Sequence, residues 1–380
     1  MCGIVGYVGY RDCSDVLVSA LSKLEYRGYD SAGIAVFENG EIKVAKSKGR
    51  LKDLEEKMQT LGKPQGHAGI GHTRWATHGE PSDRNSHPHS GEKVSIVHNG
   101  IIENYKELKE FLLQKGQQFL SDTDTEVVAR LLGYYYDGDP LRTIIRAVHE
   151  LEGSFALGMV FQDFPDVVYA VRRESPLIVG VGRDESFIAS DVPAILKYTK
   201  DYYLLEHDEI AVLTHQNVKI YDLHGQEVEK ELKTADWDMD AAEKCGFEHF
   251  MIKEIHEQPT AIKTTVTPRV EQGLPCLEEC GITLDKIQSF RQIFVVACGT
   301  AMHAGMVGKY VIEKLARVPV TVDIASEFRY RQPLVGPGDL VIIISQSGET
   351  ADSLAAMRLA KQLGAQTLAI VNAKGSSIAR

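Results

Sequence analysis

The chain has 380 residues, 43% of them hydrophobic and 25% charged, which is typical of a globular protein with more than one domain. A net charge of −11 and the lack of a basic block argue against a nucleic-acid partner. No apolar run reaches the roughly 18 residues that span a bilayer. No charged-then-apolar leader is visible either. We therefore expect a cytoplasmic protein without nucleic-acid or membrane partners.

Cysteine and histidine spacing gives no sign of a metal or a disulfide framework. Six cysteines are too few and too scattered for a disulfide-dense domain. Cys276 and Cys280 lack a second ligand pair nearby, which a structural zinc site would need. His87 and His89 flank a proline without an accompanying carboxylate or cysteine pattern, and we interpret them as structural. No metal and no cofactor are expected.

The chain begins with Met1-Cys2-Gly3 and leads directly into an apolar run of strand character at 4–8. If Met1 is removed, Cys2 carries both a thiol and a free α-amine, whose pKa of about 7.7–8.0 makes it a usable base near neutral pH. One residue would then supply nucleophile and base, as in other terminal nucleophiles. The alternative is a buried cysteine at the start of a core strand.

The first 240 residues predict many strands and a few helices. Leu17, Leu21 and Leu24 recur at helical spacing behind the candidate caps Asp12 and Ser14. Asn-Gly at 39–40 predicts a hairpin between apolar runs at 33–37 and 42–45. Further strands are predicted at 68–72, 94–98, 154–161, 167–171, 177–181, 187–189 and 209–213, and further helices at 106–115, 125–135 and 141–151. Because the strands do not alternate regularly with the helices, we expect layered antiparallel sheets covered by helices.

Polar side chains cluster after the predicted strand at 68–72, in the stretch 72–81. Arg74 offers a planar fork that can grip a carboxylate at two points, and Thr77 and His78 could hold the rest of an amino-acid substrate. The Gly-Pro-rich exit makes 74–81 a candidate lid. The alternative is a surface loop with an ordinary arginine ion pair.

Two further groups follow the strand predicted at 94–98. The Asn99 amide and the Gly100 N–H form a candidate pair of donors to an oxyanion, although Asn-Gly is also a common turn. Asp124 stands beside a candidate capping box of Thr123 and Glu126. Its carboxylate could bind a substrate ammonium group or only complement the helix dipole.

After a polar stretch at 236–260 the pattern changes to β-α-β. Strands are predicted at 292–297, 318–324, 339–344 and 366–371, with helices at 306–315 and from about 350 to 364. This alternation predicts a parallel sheet with helices on both faces. Ser345, Gln346, Ser347 and Thr350 follow the third strand, where hydroxyls and helix N–H groups can cradle a phosphate. No G-x-G-x-x-G occurs, which argues against a dinucleotide.

Four runs, 2–6, 24–33, 71–81 and 97–104, together resemble the glutaminase domain of the class II glutamine amidotransferases. The resemblance spans residues 2–240 and resumes after the linker, where it is similar to the sugar-isomerase (SIS) domain of the branch that aminates fructose 6-phosphate. It implies an α+β N-terminal-nucleophile hydrolase fold of four αββα layers, followed by an α/β SIS domain. The implied ranges are 2–235 for the glutaminase domain, 236–260 for the linker and 261–380 for the SIS domain.

The resemblance also implies roles for individual residues. Cys2 would be the nucleophile, with the oxyanion held by Asn99 and Gly100. Glutamine would be bound by Arg74, Thr77, His78 and Asp124, and Trp75 would gate the passage of ammonia. The phosphate of fructose 6-phosphate would be bound by Thr300, Ser345, Gln346, Ser347 and Thr350.

Two departures from the family pattern qualify these roles. Ala301 stands where the family often has serine, which leaves Thr300 to compensate. Family members also continue beyond the position of Arg380, so we expect an incomplete SIS domain and a chain that hydrolyses glutamine without making the amino sugar alone. The resemblance implies a homodimer. A sugar-phosphate-binding protein that has lost glutaminase activity is the alternative from another class, and retention of Met1 would favour it.

Overall fold

The computed structural model describes residues 2–25, 28–76, 79–235, 246–373 and 376–380. The chain divides into two compact units, Met1–Glu243 and Lys244–Arg380. Among the described residues, none of the helices combines the length and the apolar character needed to cross a membrane.

The first unit is rich in strands, as its sequence predicts. In chain order its strands are β1 (Gly3–Val8), β2 (Ser31–Glu38), β3 (Glu41–Lys48), β4 (Ala68–Arg74), β5 (His89–Ser90), β6 (Val94–Ile102), β7 (Gly153–Phe161), β8 (Val168–Arg173), β9 (Ile178–Val181), β10 (Ser186–Ala189), β11 (Asp201–Leu204), β12 (Glu209–Leu213), β13 (Val218–Tyr221) and β14 (Lys233–Thr234). Its helices are α1 (Cys13–Ser22), α2 (Leu51–Leu61), α3 (Tyr105–Gln114), α4 (Asp124–Tyr135) and α5 (Pro140–Glu150).

Two antiparallel sheets form the middle of this unit. Within the described residues, the first sheet has the order β14-β11-β9-β10-β1-β4-β2-β3 and the second has the order β13-β12-β8-β7-β6-β5. Apolar side chains of β1 and β4 pack against those of β6, β7 and β8 between the sheets, with Ile4, Val97 and Ile188 fully buried there. β1 lies inside the first sheet, between β10 and β4.

Helices cover the outer face of each sheet. α1 and α2 pack on the first sheet through Leu17, Leu21 and Leu54, whereas α3, α4 and α5 pack on the second through residues such as Leu112 and Val128. The result is four layers in the order helix, sheet, sheet, helix. The antiparallel layered architecture predicted from the irregular strand and helix pattern is therefore confirmed.

Local sequence signals account for several element ends. Asn39 and Gly40 have φ angles of 52° and 86°, which is the turn geometry that joins two-residue hairpins such as β2–β3. Asp12 caps α1 by accepting a hydrogen bond from the N–H of Asp15. Pro140 occupies the first turn of α5 behind the cap Asp139, where its missing N–H has no cost.

The second unit is built around a parallel sheet. Its elements are α6 (Phe250–Val266), β15 (Val270–Glu271), β16 (Leu274–Pro275), α7 (Leu284–Ser289), β17 (Gln292–Ala297), α8 (Gly299–Ala316), β18 (Val320–Ile324), α9 (Ala325–Tyr330), β19 (Asp339–Ser345), α10 (Ala351–Gln362) and β20 (Gln366–Val371). β18, β17, β19 and β20 pair in that order, all in parallel. The predicted β-α-β pattern is confirmed.

The strand order places the carboxyl ends of β17 and β19 at a switch point. The chain moves from β17 outward to β18, and then returns past β17 to β19 and β20 on its other side. The connections after β17 and β19 therefore diverge to opposite sides, which opens a crevice between the two strand ends. Residues 298–300 and 345–350 stand at these ends.

Candidate active site

Cys2 lies one residue before β1, next to the end of β4. Because Gly3 pairs with Thr73, the Cys2 thiol reaches Trp75: the Trp75 N–H donates to Sγ at 3.1 Å, and the thiol donates to the Trp75 carbonyl oxygen at 3.4 Å. Burial raises the pKa of the Cys2 thiol above its ordinary value, and the Trp75 N–H opposes this shift. The thiol therefore needs a nearby base to become a nucleophile at neutral pH.

Asn99 brings the second sheet into contact with Cys2. The Asn99 Nδ2 donates to the carbonyl oxygen of Cys2 at 3.0 Å. The strand β6 continues through Asn99 and Gly100 to Ile102, and it remains paired with β7 throughout. The Asn-Gly pair is therefore not a turn here, and its amide groups lie in a strand that borders the nucleophile.

Arg74 is the last residue of β4 and is buried. Its Nη2 donates to the carbonyl oxygen of Gly79 at 3.1 Å, so the side chain holds the far side of the stretch 74–81. Burial lowers the pKa of Arg74, and the nearby Asp30, Cys2 and Asp124 oppose the shift. Thr77 and His78, also predicted from sequence to bind substrate, lie outside the described residues.

Asp124 is the first residue of α4 and is buried. Its two carboxylate oxygens accept from the N–H groups of Ile102 and Thr125, each at 3.0 Å. The carboxylate thereby ties the start of α4 to the end of β6. Thr123 caps the helix by accepting from the Glu126 N–H.

Glu126 differs from the predicted capping box. Instead of returning to the N–H of Thr123, its carboxylate accepts from the N–H groups of Leu120 and Ser121. It also pairs with Arg130 at 3.1 Å. The Glu126 side chain therefore holds the segment before the Thr123 cap in place, because the consecutive N–H groups of Leu120 and Ser121 both donate to its buried carboxylate.

Sequence reasoning missed two residues that support this site. The Asp30 carboxylate accepts from the Ala76 N–H at the base of the stretch 74–81. His72 Nε2 lies 2.9 Å from Asn99 Oδ1. A histidine inside an otherwise apolar strand run was the available signal for His72, since a buried polar group requires a partner. Asp30 gave no local signal, because its partner is 46 residues away.

Trp75 stands at the edge of the site with half of its side chain exposed. Its indole packs edge-on against the Tyr29 ring, with the ring centroids 5.4 Å apart. The Arg50 guanidinium lies over the Tyr29 ring, 5.9 Å from its centroid. This aromatic pair is the exposed boundary of the site on the side of the thiol.

His87 and His89 are buried, and burial lowers the pKa of each well below its ordinary value. His89 Nε2 lies 3.1 Å from Thr123 Oγ1, and the His87 ring packs against His72 with the centroids 4.2 Å apart. The described residues contain no group of three or more His, Cys, Asp or Glu side chains arranged to hold a metal ion.

The crevice of the second unit carries hydroxyl groups. Ser345 Oγ accepts from the Gly348 N–H at 3.1 Å and lies 3.2 Å from Thr350 Oγ1, and the Glu349 N–H donates to Ser347 Oγ at 3.2 Å. Gly348 has a φ of 65°, which turns the loop back toward the start of α10. Gln346 is exposed beside them.

Thr300 lies across the same crevice, in the exposed first turn of α8. The sequence-predicted phosphate residues are thus gathered at the ends of two adjacent strands, and two helices begin there. Backbone N–H groups of a helix start and side-chain hydroxyls together suit an anion. Ala301 leaves α8 without a second hydroxyl next to Thr300.

Known proteins match both units. The family described as "Glutamine amidotransferase domain" matches residues 72–197, and the family described as "SIS domain" matches residues 286–380. The glutamine--fructose-6-phosphate aminotransferase [isomerizing] of Clostridium acetobutylicum is 56% identical over 100% of this chain and 63% of its own length. The proteins of the same name from Caldanaerobacter subterraneus and Thermus thermophilus are 54% and 49% identical over the same shares.

The chain is similar along its whole length to these glutamine--fructose-6-phosphate aminotransferases. It spans 63% of the length of these relatives. The resemblance found in the residues around Cys2, Arg74 and Asn99 is confirmed.

Two solved structures share the fold. The glutamine phosphoribosylpyrophosphate amidotransferase of B. subtilis has a TM-score of 0.54 at 16% identity, covering 98% of this chain and 82% of its own. A structure described as the allosteric regulatory enzyme of purine biosynthesis has a TM-score of 0.55 at 18% identity, covering 98% of this chain and 81% of its own. The predicted fold class, an N-terminal-nucleophile hydrolase followed by an α/β SIS unit, is confirmed.

Proposed function

We propose that the chain carries the glutamine-hydrolysing half, with Cys2 as nucleophile, and part of the sugar-phosphate site of an aminotransferase that makes glucosamine 6-phosphate from glutamine and fructose 6-phosphate. The observation that carries this proposal is the junction of Cys2 with Asn99, where Nδ2 lies 3.0 Å from the Cys2 carbonyl oxygen. An amide donor held against the nucleophilic residue supports acyl transfer, which needs a stabilised oxyanion next to the nucleophile.

The reaction begins when Met1 has been removed and the free amine of Cys2 takes the proton of the thiol. Sγ then attacks the carbonyl carbon of the glutamine side-chain amide, and the negative oxygen accepts hydrogen bonds from Asn99 and Gly100. The protonated amine returns its proton to the departing ammonia. Water hydrolyses the resulting γ-glutamyl thioester and releases glutamate and the thiol.

Substrate glutamine carries a carboxylate and an ammonium group that need partners of opposite charge. We assign Arg74 to the carboxylate, because its guanidinium is buried at the end of β4 beside the thiol. Asp124 is assigned to the ammonium group, with Thr77 and His78 completing the site. Trp75 is the proposed gate for ammonia, which its half-exposed position next to Cys2 supports.

Fructose 6-phosphate is assigned to the crevice of the second unit. Ser345, Ser347 and Thr350 already orient their hydroxyls around the Gly348 turn, and Thr300 and Gln346 complete the phosphate cradle. The corresponding domain assignment is 2–235 for the glutaminase domain, 236–260 for the linker and 261–380 for the SIS domain. A homodimer is also proposed, supported by exposed apolar side chains on α8 such as Val307 and Tyr310.

Glutamate release tests the glutaminase assignment. Purified chain whose intact mass shows loss of Met1 is incubated with glutamine, and glutamate is measured for the parent and for Cys2→Ala. The parent should turn over, whereas Cys2→Ala should release no glutamate above buffer. Cys280→Ala, which removes an exposed thiol of the second unit, is the matched control and should keep the parental rate. A Cys2→Ala chain as active as the parent would refute the assignment.

A further inference from the structure

The bond between His72 and Asn99 joins the two sheets of the first unit. His72 belongs to β4 of the first sheet and Asn99 to β6 of the second. His72 Nε2 lies 2.9 Å from Asn99 Oδ1, and the two side chains are 0% and 8% exposed. The strands themselves share no backbone hydrogen bonds, since they belong to different sheets. This side-chain contact therefore links β4 to the Asn99 amide across the two sheets.

The hydrogen-bonding partners of Asn99 determine its amide orientation. The atom facing the Cys2 carbonyl oxygen at 3.0 Å must be the nitrogen, since two acceptor oxygens would repel each other. The amide oxygen consequently faces His72, and Nε2 of that ring must carry a proton to bond it. The Cys2 carbonyl and the His72 Nε2–H thus favour the same orientation of the Asn99 amide, one through its nitrogen and the other through its oxygen.

The surroundings of His72 keep this donor in one state. Burial lowers the pKa of His72 to about 3, so the ring is neutral at physiological pH. The His87 ring lies against it, with centroids 4.2 Å apart. His87 is itself oriented by the His98 N–H, which donates to His87 Nδ1 at 3.4 Å. The His87 ring therefore restrains the face of the His72 ring, and Asn99 occupies its Nε2 position.

We propose that His72 is a positioning residue that locks the Asn99 amide with its nitrogen toward the nucleophile. This proposal rests on the proposed glutaminase function. An amide nitrogen has two hydrogens, so one N–H can hold the Cys2 carbonyl while the other is directed to the oxyanion. Without the His72 bond, only the Cys2 carbonyl oxygen holds the amide, and rotation about its terminal torsion, which is broad and roughly two-fold, becomes easier. Rotation would present an oxygen to the oxyanion.

The expected effect falls on the chemical step. Loss of one oxyanion donor lowers kcat by about 100- to 1000-fold, and Asn99→Ala should fall in that range. His72→Leu leaves the donor present but unfixed, so kcat should fall by about 10- to 100-fold. KM for glutamine should change little, because His72 does not contact the groups assigned to substrate binding. His72→Gln, whose amide can donate from a similar position, should restore most of the activity.

A double-mutant cycle separates positioning from general structural support. If His72 acts through Asn99, the pair His72→Leu and Asn99→Ala should be no slower than Asn99→Ala alone, within about threefold. His89→Leu is the control: it removes another buried histidine that bonds Thr123 instead of Asn99, and the variant should keep kcat within about threefold of the parent. Losses that multiply in the double variant would overturn the proposal.

A tautomer measurement on the unsubstituted chain does not depend on any variant folding. Nitrogen-15 NMR of histidine-labelled protein should show His72 neutral and protonated at Nε2, with assignment from the His72→Gln spectrum. An Nδ1-protonated or cationic His72 would overturn the proposal. The two hypotheses fail differently: an inactive parent refutes the glutaminase function, whereas an active parent with multiplying losses refutes only the role of His72.

Discussion

Gly100 provides a sharp test of how the two sheets build the site. Its φ is 122°, and a Cβ there would overlap the Ser154 carbonyl oxygen and lie 2.7 Å from the Ser154 carbonyl carbon. Ser154 belongs to β7, which pairs with Gly100 along the full length of β6, so the obstructing atoms are backbone and have little room to move. Strained backbone costs about 1–3 kcal/mol, and the overlap adds to it. We therefore expect Gly100→Ala to lower the free energy of unfolding by about 3 kcal/mol or more.

Gly40→Ala is the matched control, because Gly40 has a φ of 86° but nothing within 4 Å of an added Cβ. It should cost only the backbone strain, about 1–2 kcal/mol. Urea unfolding followed by tryptophan fluorescence measures both, since Trp75 and Trp237 precede the unit boundary. Equal losses for the two variants would refute the conclusion that the close approach of β7 requires glycine at position 100.

Three further predictions follow from named hydrogen bonds. Asp30→Ala removes the acceptor of the Ala76 N–H, and since a hydrogen bond to a charged group contributes about 1.5–3 kcal/mol, KM for glutamine should rise about 10- to 100-fold. Burial raises the pKa of Glu126, but hydrogen bonds from backbone N–H groups and Arg130 outweigh it, so the pKa is lowered overall. The stability advantage of the parent over Glu126→Gln should therefore be complete above the unfolded pKa of about 4.3 and should shrink as pH falls below it. Ser345→Ala removes the Gly348 N–H acceptor, and fructose 6-phosphate should bind about tenfold more weakly by calorimetry.

Each of these has a result that contradicts it. For Asp30→Ala, an unchanged KM would show that the loop base does not set glutamine affinity. For Glu126→Gln, a stability difference that grows on acidification, measured by urea midpoints at several pH values, would reverse the sign of the argument. For Ser345→Ala, binding equal to that of the control Ser289→Ala, which removes a hydroxyl bonded only locally to Lys286, would remove Ser345 from the phosphate cradle.

Much of the fold could be predicted because its signals are local. The Asn39-Gly40 hairpin, the cap at Asp12 and the proline start of α5 depend on neighbours within a few residues. α2 was missed although Leu51, Leu54 and Met58 are its buried residues, since three apolar positions in a strongly charged segment form a narrow stripe. The strands β11 and β13 were missed because they are four residues long and only partly buried.

The site was less accessible to sequence reasoning, because its contacts join distant residues. The residue types Cys2, Arg74 and Asn99 could be selected by chemistry, but Asn-Gly alone could not distinguish a turn from a strand. The pairing of β6 with β7 shows that Asn99 and Gly100 lie in a strand. The His72–Asn99 bond crosses between two sheets, and no periodicity within either strand reports which strands of facing sheets meet.

The central claim is that the Cys2 sulfur forms a covalent bond with the substrate. Acid quenching of the chain during turnover of glutamine, followed by peptide mass spectrometry, tests it most directly. The account predicts a γ-glutamyl group on the peptide that begins with Cys2, on a chain lacking Met1. Turnover without that adduct, or with the adduct on a different cysteine such as Cys298, would contradict it.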